Sequence, residues 1–326
     1  MPFIKARSMQ RTHQVEQIIT ALSRNDISSL RSLARQPGGY VHDTLRKLVW
    51  PILLHAHYGC YVDEKGSEKD LADPVQITKD VERSLYYYPQ DISPMLKAHK
   101  QQELHRMIVE ILWRNPRLKY YQASPIEYAM LDSFDPVSKQ LRLMSSIIEY
   151  EDPELTSFLE RSNIMPYYAL SWILTWYSHD FEDFSKITRL FDLFVASSPL
   201  MPVYVASAIT LLRRSTILRA EPDLAHSIIS HIPHDINIDT VIQKAVSLEE
   251  RYSALELQKR SGIWLHDESV VNTWYRDWSH MGWNDVPDSI KADRYLSHGI
   301  PKEEWEDEML TEWMERRRKW FGAIDL

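Results

Sequence analysis

Hydrophobic residues recur along most of the chain at the three- and four-residue spacing of a helix that buries one face. The spacing is clearest at Val15, Ile18, Ile19 and Leu22, at Leu104, Ile108, Ile111 and Leu112, and at Ile187, Leu190, Phe191, Phe194 and Val195. Strict alternation of apolar and polar residues, which is typical of strands, is nearly absent. The pattern therefore predicts an all-α protein built from many short helices.

Proline residues mark the predicted starts of several of these helices. Proline suits the first helical turn because its missing N–H would have no partner there. The X-Pro steps lie at Asp73-Pro74, Tyr88-Pro89, Asn115-Pro116, Asp152-Pro153, Ser198-Pro199 and Glu221-Pro222. Most of these steps are predicted helix starts.

The longest nearly apolar run covers residues 199–212. At about 14 residues it is shorter than the roughly 20 that span a bilayer, so it predicts a buried core helix. We expect no integral membrane segment. The start of the chain has charges without an apolar run behind them, which excludes a secretory signal.

The amino-acid composition and net charge exclude several classes of function. Only 8 of 326 residues are glycine, which disfavours glycine-rich phosphate loops. The single cysteine, Cys60, excludes an intrachain disulfide and a cysteine-based zinc site. It favours a reducing compartment, which could be the cytosol, the nucleus or the cytosolic face of a membrane. The net charge of −8 argues against nucleic acid as a partner, so a protein or small molecule is the better expectation.

The composition changes after about residue 247. Residues 248–326 hold seven of the eleven tryptophans and many acidic residues, and we interpret them as a helical, Trp-rich C-terminal extension. Its last predicted helix, about residues 302–321, is acidic at the start and basic at the end, as the helix dipole favours. This helix could pack on the main domain, or it could bind a membrane surface or a partner. Residues 1–26 are predicted to form an N-terminal helix, and residues 27–247 the main domain.

Three short motifs remain after the common nucleotide, metal and hydrolase motifs are excluded. The first is Arg46 with Trp50 in LRKLVWPILL, the second is Ile77, Asp80 and Arg83 in QITKDVERSL, and the third is Tyr121 with Gln122 in LKYYQ. On a helical wheel, Ile77 and Val81 share one side of the second motif. They would anchor the helix while Arg83 stands out, braced by Asp80 one turn earlier.

In this order, RxxxW, IxxDxxR and YxQ resemble the TBC domain, the catalytic module of GTPase-activating proteins for Rab GTPases. The closest resemblance is to the TBC subfamily of ER-to-Golgi traffic, whose animal members often end in a membrane anchor. It rests on QITKDVERSLYYYP, on NPRLKYYQ and on the long stretch from Ala169 to Leu212. The resemblance covers residues 27–247 and implies an all-α fold of two helical subdomains.

The resemblance also implies roles for the motif residues. Arg83 would be the arginine finger that stabilises charge on the γ-phosphate, and Gln122 a second finger that orients the attacking water. Asp80 would hold Arg83, and Tyr121 would pack behind Gln122. Arg46 and Trp50 would support the site from beneath.

GTP and Mg²⁺ would belong to the Rab partner, so the resemblance implies no cofactor or metal of the chain's own. It implies a cytoplasmic protein that works at the cytosolic face of ER and Golgi membranes. Membrane association would then be peripheral, through the Rab, another protein or the Trp-rich extension.

The chain departs from the family pattern after Gln122. Ala123, Ser124 and Pro125 follow it, and only 12 residues separate Gln122 from Asp135, so about two helices of the family pattern are missing. Pro125 cannot continue a helix that would fix Gln122. Two alternatives therefore stay open: a catalytically impaired TBC-like scaffold that binds a Rab, and an all-α interaction protein that acts through its Trp-rich extension.

Overall fold

The computed structural model describes residues 2–54, 74–83, 93–114, 134–267 and 269–274. Every described residue except Leu54 lies in one compact unit. These ranges are helical and contain no strand, which confirms the predicted all-α class. The helix predicted at about residues 302–321 lies outside the described residues.

Fifteen α-helices occur in the described ranges, and one 3-10 helix follows the seventh. They are α1 (Pro2–Ser23), α2 (Ile27–Arg35), α3 (Asp43–Leu53), α4 (Pro74–Arg83), α5 (Pro94–Arg114), α6 (Asp135–Glu151), α7 (Pro153–Arg161), the 3-10 helix (Pro166–Ala169), α8 (Leu170–Leu174), α9 (Phe184–Ala196), α10 (Met201–Leu212), α11 (Arg214–Leu218), α12 (Pro222–Ser230), α13 (Ile238–Arg251), α14 (Ala254–Ser261) and α15 (Val270–Thr273).

Short polar side chains and prolines set the starts of these helices. An N-cap side chain accepts a hydrogen bond from the first helical turn in α2, α7, α9, α13, α14 and α15, where N–H groups lack an intrahelical partner. Pro74, Pro153 and Pro222 begin helices as predicted. Pro199 does not: α10 begins two residues later, with Pro202 in its first turn. Pro89 and Pro116 lie outside the described residues.

The central helix of the core is α10. All its residues from Met201 to Thr210 are buried, which confirms the core helix predicted from the apolar run. It packs mainly against α6 and α13. Tyr204 ties it to the end of α13 by donating from its hydroxyl to the backbone oxygen of Tyr252, at 2.6 Å. The same core extends from α6 to α15.

Helices α4 and α5 pack against each other with an interior of their own. It consists of Ile77 and Val81 of α4 and Leu112 of α5, with Leu104 and Ile108 beside them. Ile111 was expected on the same face but is 46% exposed. Residues 104, 108 and 112 follow one another at four-residue steps, and residue 111 is turned about 100° away from residue 112.

Candidate functional site

The end of α4 presents Arg83 at the surface. Ile77 and Val81 are buried against α5, while 65% of the Arg83 side chain is exposed. This is the arrangement that the helical wheel predicts for the IxxDxxR motif. Arg83 is also the last residue of α4 within the described ranges.

Two groups of the preceding turn contact the guanidinium of Arg83. Its Nε donates to the backbone oxygen of Lys79 at 3.2 Å, and its Nη2 donates to Asp80 Oδ1 in an ion pair. A guanidinium carries five N–H donors. Within the described part of the chain, these two contacts leave most of its hydrogen-bonding capacity available to an anion that approaches from solvent.

Asp80 is held in place more firmly than the arginine that it contacts. Its side chain is only 9% exposed, and its Oδ1 also accepts a hydrogen bond from Gln76 Nε2 at 3.0 Å. Oδ2 is buried and has no hydrogen-bond partner within the described part of the chain. The carboxylate is thus a nearly buried negative charge beside an exposed positive one.

A second helix contacts the last turn of α4. Gln101 of α5 donates from Nε2 to the backbone oxygens of Val81, at 3.1 Å, and Glu82, at 3.0 Å. These two hydrogen bonds join α5 to α4 next to Arg83.

The RxxxW motif builds a different, buried arrangement around Asp192 of α9. Arg46 donates to both carboxylate oxygens, from Nε to Oδ1 and from Nη2 to Oδ2, each at 3.0 Å. Trp50 Nε1 donates to Oδ1 at 3.0 Å. Arg46 also bonds the exposed Asp43 at 2.8 Å. The motif therefore fastens α3 to α9.

The chain before α3 completes the shell of Asp192. The backbone N–H of Tyr40 donates to Oδ2 at 3.1 Å. A Cβ at Gly39, where φ is +52°, would lie 2.6 Å from the same oxygen, so only glycine fits there. Burial raises the pKa of the Asp192 carboxyl, and the hydrogen bonds from Arg46 bring that pKa back toward its usual range.

Arg189, one turn before Asp192, forms a second link between the N-terminal helices and the core. It donates to the backbone oxygens of Ala34 and Gln36, at 2.8 and 2.7 Å, and to Asp239 of α13 at 2.9 Å. The sequence analysis missed Arg189 and Asp192. The signal was available, because both charges interrupt the apolar residues of α9, where a charge needs a partner.

The structure locates four of the six predicted site residues. Arg83 and Asp80 form one group, and Arg46 and Trp50 form another. Within the described ranges, the hydrogen bonds of the second group lead to Asp43 and Asp192 rather than to α4. Tyr121 and Gln122 lie outside the described residues, so the second predicted finger has no geometry here.

Two further properties of the described part of the chain concern metals and membranes. Its His, Cys, Asp and Glu side chains form no group of three that could hold a metal ion. None of its helices combines the length and the apolar character needed to cross a bilayer.

The family model and the relatives that match this chain agree with each other. Residues 124–218 match the family model of the Rab-GTPase-TBC domain. The chain is 30% identical to TBC1 domain family member 20 of Mus musculus over 320 residues, covering 88% of this chain and 79% of that protein. It is 29% identical to the Homo sapiens protein of that name over 330 residues, covering 91% and 82%. It is also 30% identical to GTPase-activating protein gyp10 of Schizosaccharomyces pombe over 261 residues, covering 70% and 69%.

These alignments are longer than the stretches of chain that they cover. For the mouse protein, 88% of 326 residues is about 287 residues, so about 33 of the 320 aligned positions have no counterpart here. The same comparison for the human protein again gives about 33 positions. That length corresponds to two or three helices of average size, about 11–12 residues each. The shortening after Gln122 stays a prediction.

Proposed function

The chain belongs to the TBC domain family, and from this premise we propose that it is a GTPase-activating protein for a Rab-family small GTPase. One observation carries the proposal: the motif arginine, Arg83, stands exposed at the end of α4 and is tethered to a nearly buried carboxylate. A relative of 30% identity is itself named a GTPase-activating protein. The activity would be exerted on the GTP of a bound partner.

The physical role of Arg83 follows from the charge that develops during hydrolysis. Negative charge spreads over the γ-phosphate oxygens, and an arginine supplied by a partner protein accelerates the reaction by about 10³- to 10⁵-fold. Arg83 must then leave the oxygen of Lys79 and turn toward the phosphate. Asp80 can keep its contact with the guanidinium during that movement, because the carboxylate is fixed by Gln76.

Gln122 is the second part of the proposed mechanism. A glutamine amide can accept from the attacking water and donate to a phosphate oxygen, and so it can align the nucleophile. In the proposed mechanism it replaces the glutamine of the GTPase itself, with Tyr121 packed behind it. GTP and Mg²⁺ are held by the partner, and Arg83 and Gln122 are the residues of this chain that would act on the reacting groups.

We also propose a place of action. The resemblance to the ER-to-Golgi subfamily supports a role in vesicle traffic at the cytosolic face of those membranes. Association with the membrane would be peripheral and would depend on the Rab or on another protein.

The test is single-turnover GTP hydrolysis by a panel of GTP-loaded Rab proteins, with wild-type protein, with the Arg83→Ala variant and without either. We expect at least one Rab to be accelerated by wild type, and we expect Arg83→Ala to lose about 10³-fold of that acceleration. The Gln122→Ala variant should lose about 10²-fold, the usual scale for one positioned polar group. Full acceleration by Arg83→Ala would contradict the mechanism.

A Rab-binding scaffold is the second candidate, and the missing 33 aligned positions favour it. A chain without the helices that should follow Gln122 could bind a Rab and leave its hydrolysis rate unchanged. Binding of a GTP-loaded Rab in a pull-down, together with no acceleration at any concentration of the protein, would select this candidate over the first.

A further inference from the structure

We propose that Gln76 of α4 is a positioning residue for Arg83 and that it acts through Asp80. The inference rests on the proposed function and adds to it a residue that precedes the IxxDxxR motif and is not part of it. Gln76 Nε2 donates to Asp80 Oδ1 at 3.0 Å, and the same carboxylate oxygen accepts from Arg83 Nη2. One oxygen therefore links the glutamine to the arginine.

The three side chains lie on one side of α4. At about 100° per residue, Asp80 is turned about 40° from Gln76, and Arg83 about 20° in the opposite direction. Steps of four and three residues place side chains next to each other on a helix surface. Ile77 and Val81 lie on another side and are buried against α5. The contact between Gln76 and Asp80 thus follows from the helix itself.

The carboxylate of Asp80 needs a donor that stays when Arg83 moves. The Asp80 side chain is 9% exposed, whereas the Arg83 side chain is 65% exposed. A nearly buried carboxylate is costly unless it accepts hydrogen bonds. When Arg83 turns toward a phosphate, the bond from the half-buried Gln76 remains on Oδ1. Gln76 therefore keeps the carboxylate in place during that movement.

The orientation of Arg83 depends on that carboxylate. The guanidinium is held through Nη2 by Asp80 and through Nε by the backbone oxygen of Lys79, at 3.2 Å. The last torsion of an aspartate has a broad preference, so a second hydrogen bond to Asp80 narrows the positions that its oxygens occupy. Without Gln76, the arginine reaches the phosphate from a wider range of positions. A misplacement of about 1 Å at a reacting group lowers the rate by about a hundredfold.

The kinetic test compares Gln76→Met with Gln102→Met. Methionine has nearly the length and helix propensity of glutamine but no amide donor, and Gln102 is an exposed glutamine of α5. We expect Gln76→Met to lower the maximum single-turnover rate by about tenfold, with the half-saturating concentration of protein within about twofold of wild type. Gln102→Met should behave as wild type. A wild-type maximum rate for Gln76→Met would overturn the proposal.

The same substitution in the Asp80→Ala background separates positioning from general damage. A residue that acts only through the carboxylate has nothing left to hold there, so Gln76→Met should cause no further loss of rate. A loss in the double variant that equals the sum of the two single losses, in free energy, would overturn the proposal.

A measurement on the free protein does not require a GTPase. The NMR order parameter of the Arg83 Nε–H bond reports how firmly the guanidinium is held, on a scale where about 0.85 is rigid and below about 0.6 is flexible. We expect it to fall by about 0.2 in Gln76→Met and to stay at the wild-type value in Gln102→Met. Equal values in the two variants would overturn the proposal. If wild type accelerates no Rab and the order parameter still falls in Gln76→Met, the proposed function fails, while the hold of Gln76 on Arg83 stands.

Discussion

Charged side chains of this protein are used in two contrasting ways. Arg83 is exposed and paired with a carboxylate of its own helix, whereas Arg46 is buried with Asp192, 146 positions along the chain. An exposed pair contributes little stability, commonly below about 1 kcal/mol, and it can rearrange when a ligand arrives. A buried pair fixes the structure, and removing one partner leaves a charge without compensation.

The Asp192→Asn variant tests the buried pair. Asparagine keeps the size of the side chain but removes the negative charge that Arg46, Trp50 and the backbone of Tyr40 share. We expect the free energy of unfolding to fall by about 3 kcal/mol, measured by denaturant titration.

Asp43→Asn is the matched control, because Asp43 bonds the same arginine and is 63% exposed. Its expected effect is at most about 0.5 kcal/mol. If the two substitutions destabilise the protein equally, the view that Asp192 fastens α3 to α9 is wrong.

At the scale of single residues, some contacts between side chains could be predicted from the sequence and others could not. The Asp80–Arg83 contact could be predicted, because both residues lie on one helix at a fixed spacing. The partner of Arg46 could not, because a pattern of nearby residues carries no information about a contact with a helix far along the chain. The contact of Gln101 with α4 could not be predicted for the same reason.

At the scale of elements, the end of α6 is joined to two other helices. Glu151, the last residue of α6, accepts hydrogen bonds from Lys244 Nζ at 2.9 Å and from Tyr252 Oη at 3.0 Å, and it pairs with Arg251. Arg260 of α14 lies over the neighbouring Tyr150 ring at 4.1 Å. The end of α6 is thereby tied to α13 and α14.

This cluster predicts a pH-dependent contribution to stability. Burial raises the pKa of the Glu151 carboxyl, but the hydrogen bonds from Lys244, Tyr252 and Arg251 outweigh burial and leave that pKa below the ordinary value of 4.5. A lowered carboxyl pKa stabilises the fold above the unfolded pKa, and this stabilisation is lost as the pH falls through the folded pKa. Glu151→Gln should therefore lower the free energy of unfolding by about 2 kcal/mol at pH 7.

The difference between Glu151→Gln and wild type should shrink as the pH is lowered below about 4.5. Denaturant titrations at several pH values measure it, and Glu149→Gln, at an exposed position of the same helix, serves as the control. A difference that stays constant down to pH 3 would contradict the assignment of the effect to the charge of Glu151.

The existence of most elements was predictable, because apolar spacing and proline positions are local properties. The apolar run predicted that α10 is a buried helix, and its residues from Met201 to Thr210 are buried. The start of α10 was predicted at Pro199 and lies at Met201, since Pro202 also suits a first turn. The packing of α10 against α6 and α13 could not be predicted from the spacing of apolar residues.

At the scale of the whole molecule, the chain belongs to the TBC domain family but leaves some aligned positions of its relatives unmatched. About 33 aligned positions have no counterpart here, while Arg83 and the helix pair that carries it are present. The shortening predicted after Gln122 bears on the second finger, whereas Arg83 lies on a described helix. The proposed activity therefore depends first on the claim that Arg83 acts on the phosphate.

The most direct test of that claim is the maximum single-turnover rate of GTP hydrolysis with Arg83→Lys. Lysine keeps the positive charge but cannot present the planar set of donors of a guanidinium. We expect the maximum rate to fall by about a hundredfold or more, with binding of the GTP-loaded Rab unchanged. Arg106→Lys, at an exposed arginine of α5, should keep the wild-type rate. A wild-type rate with Arg83→Lys would show that Arg83 does not act on the phosphate.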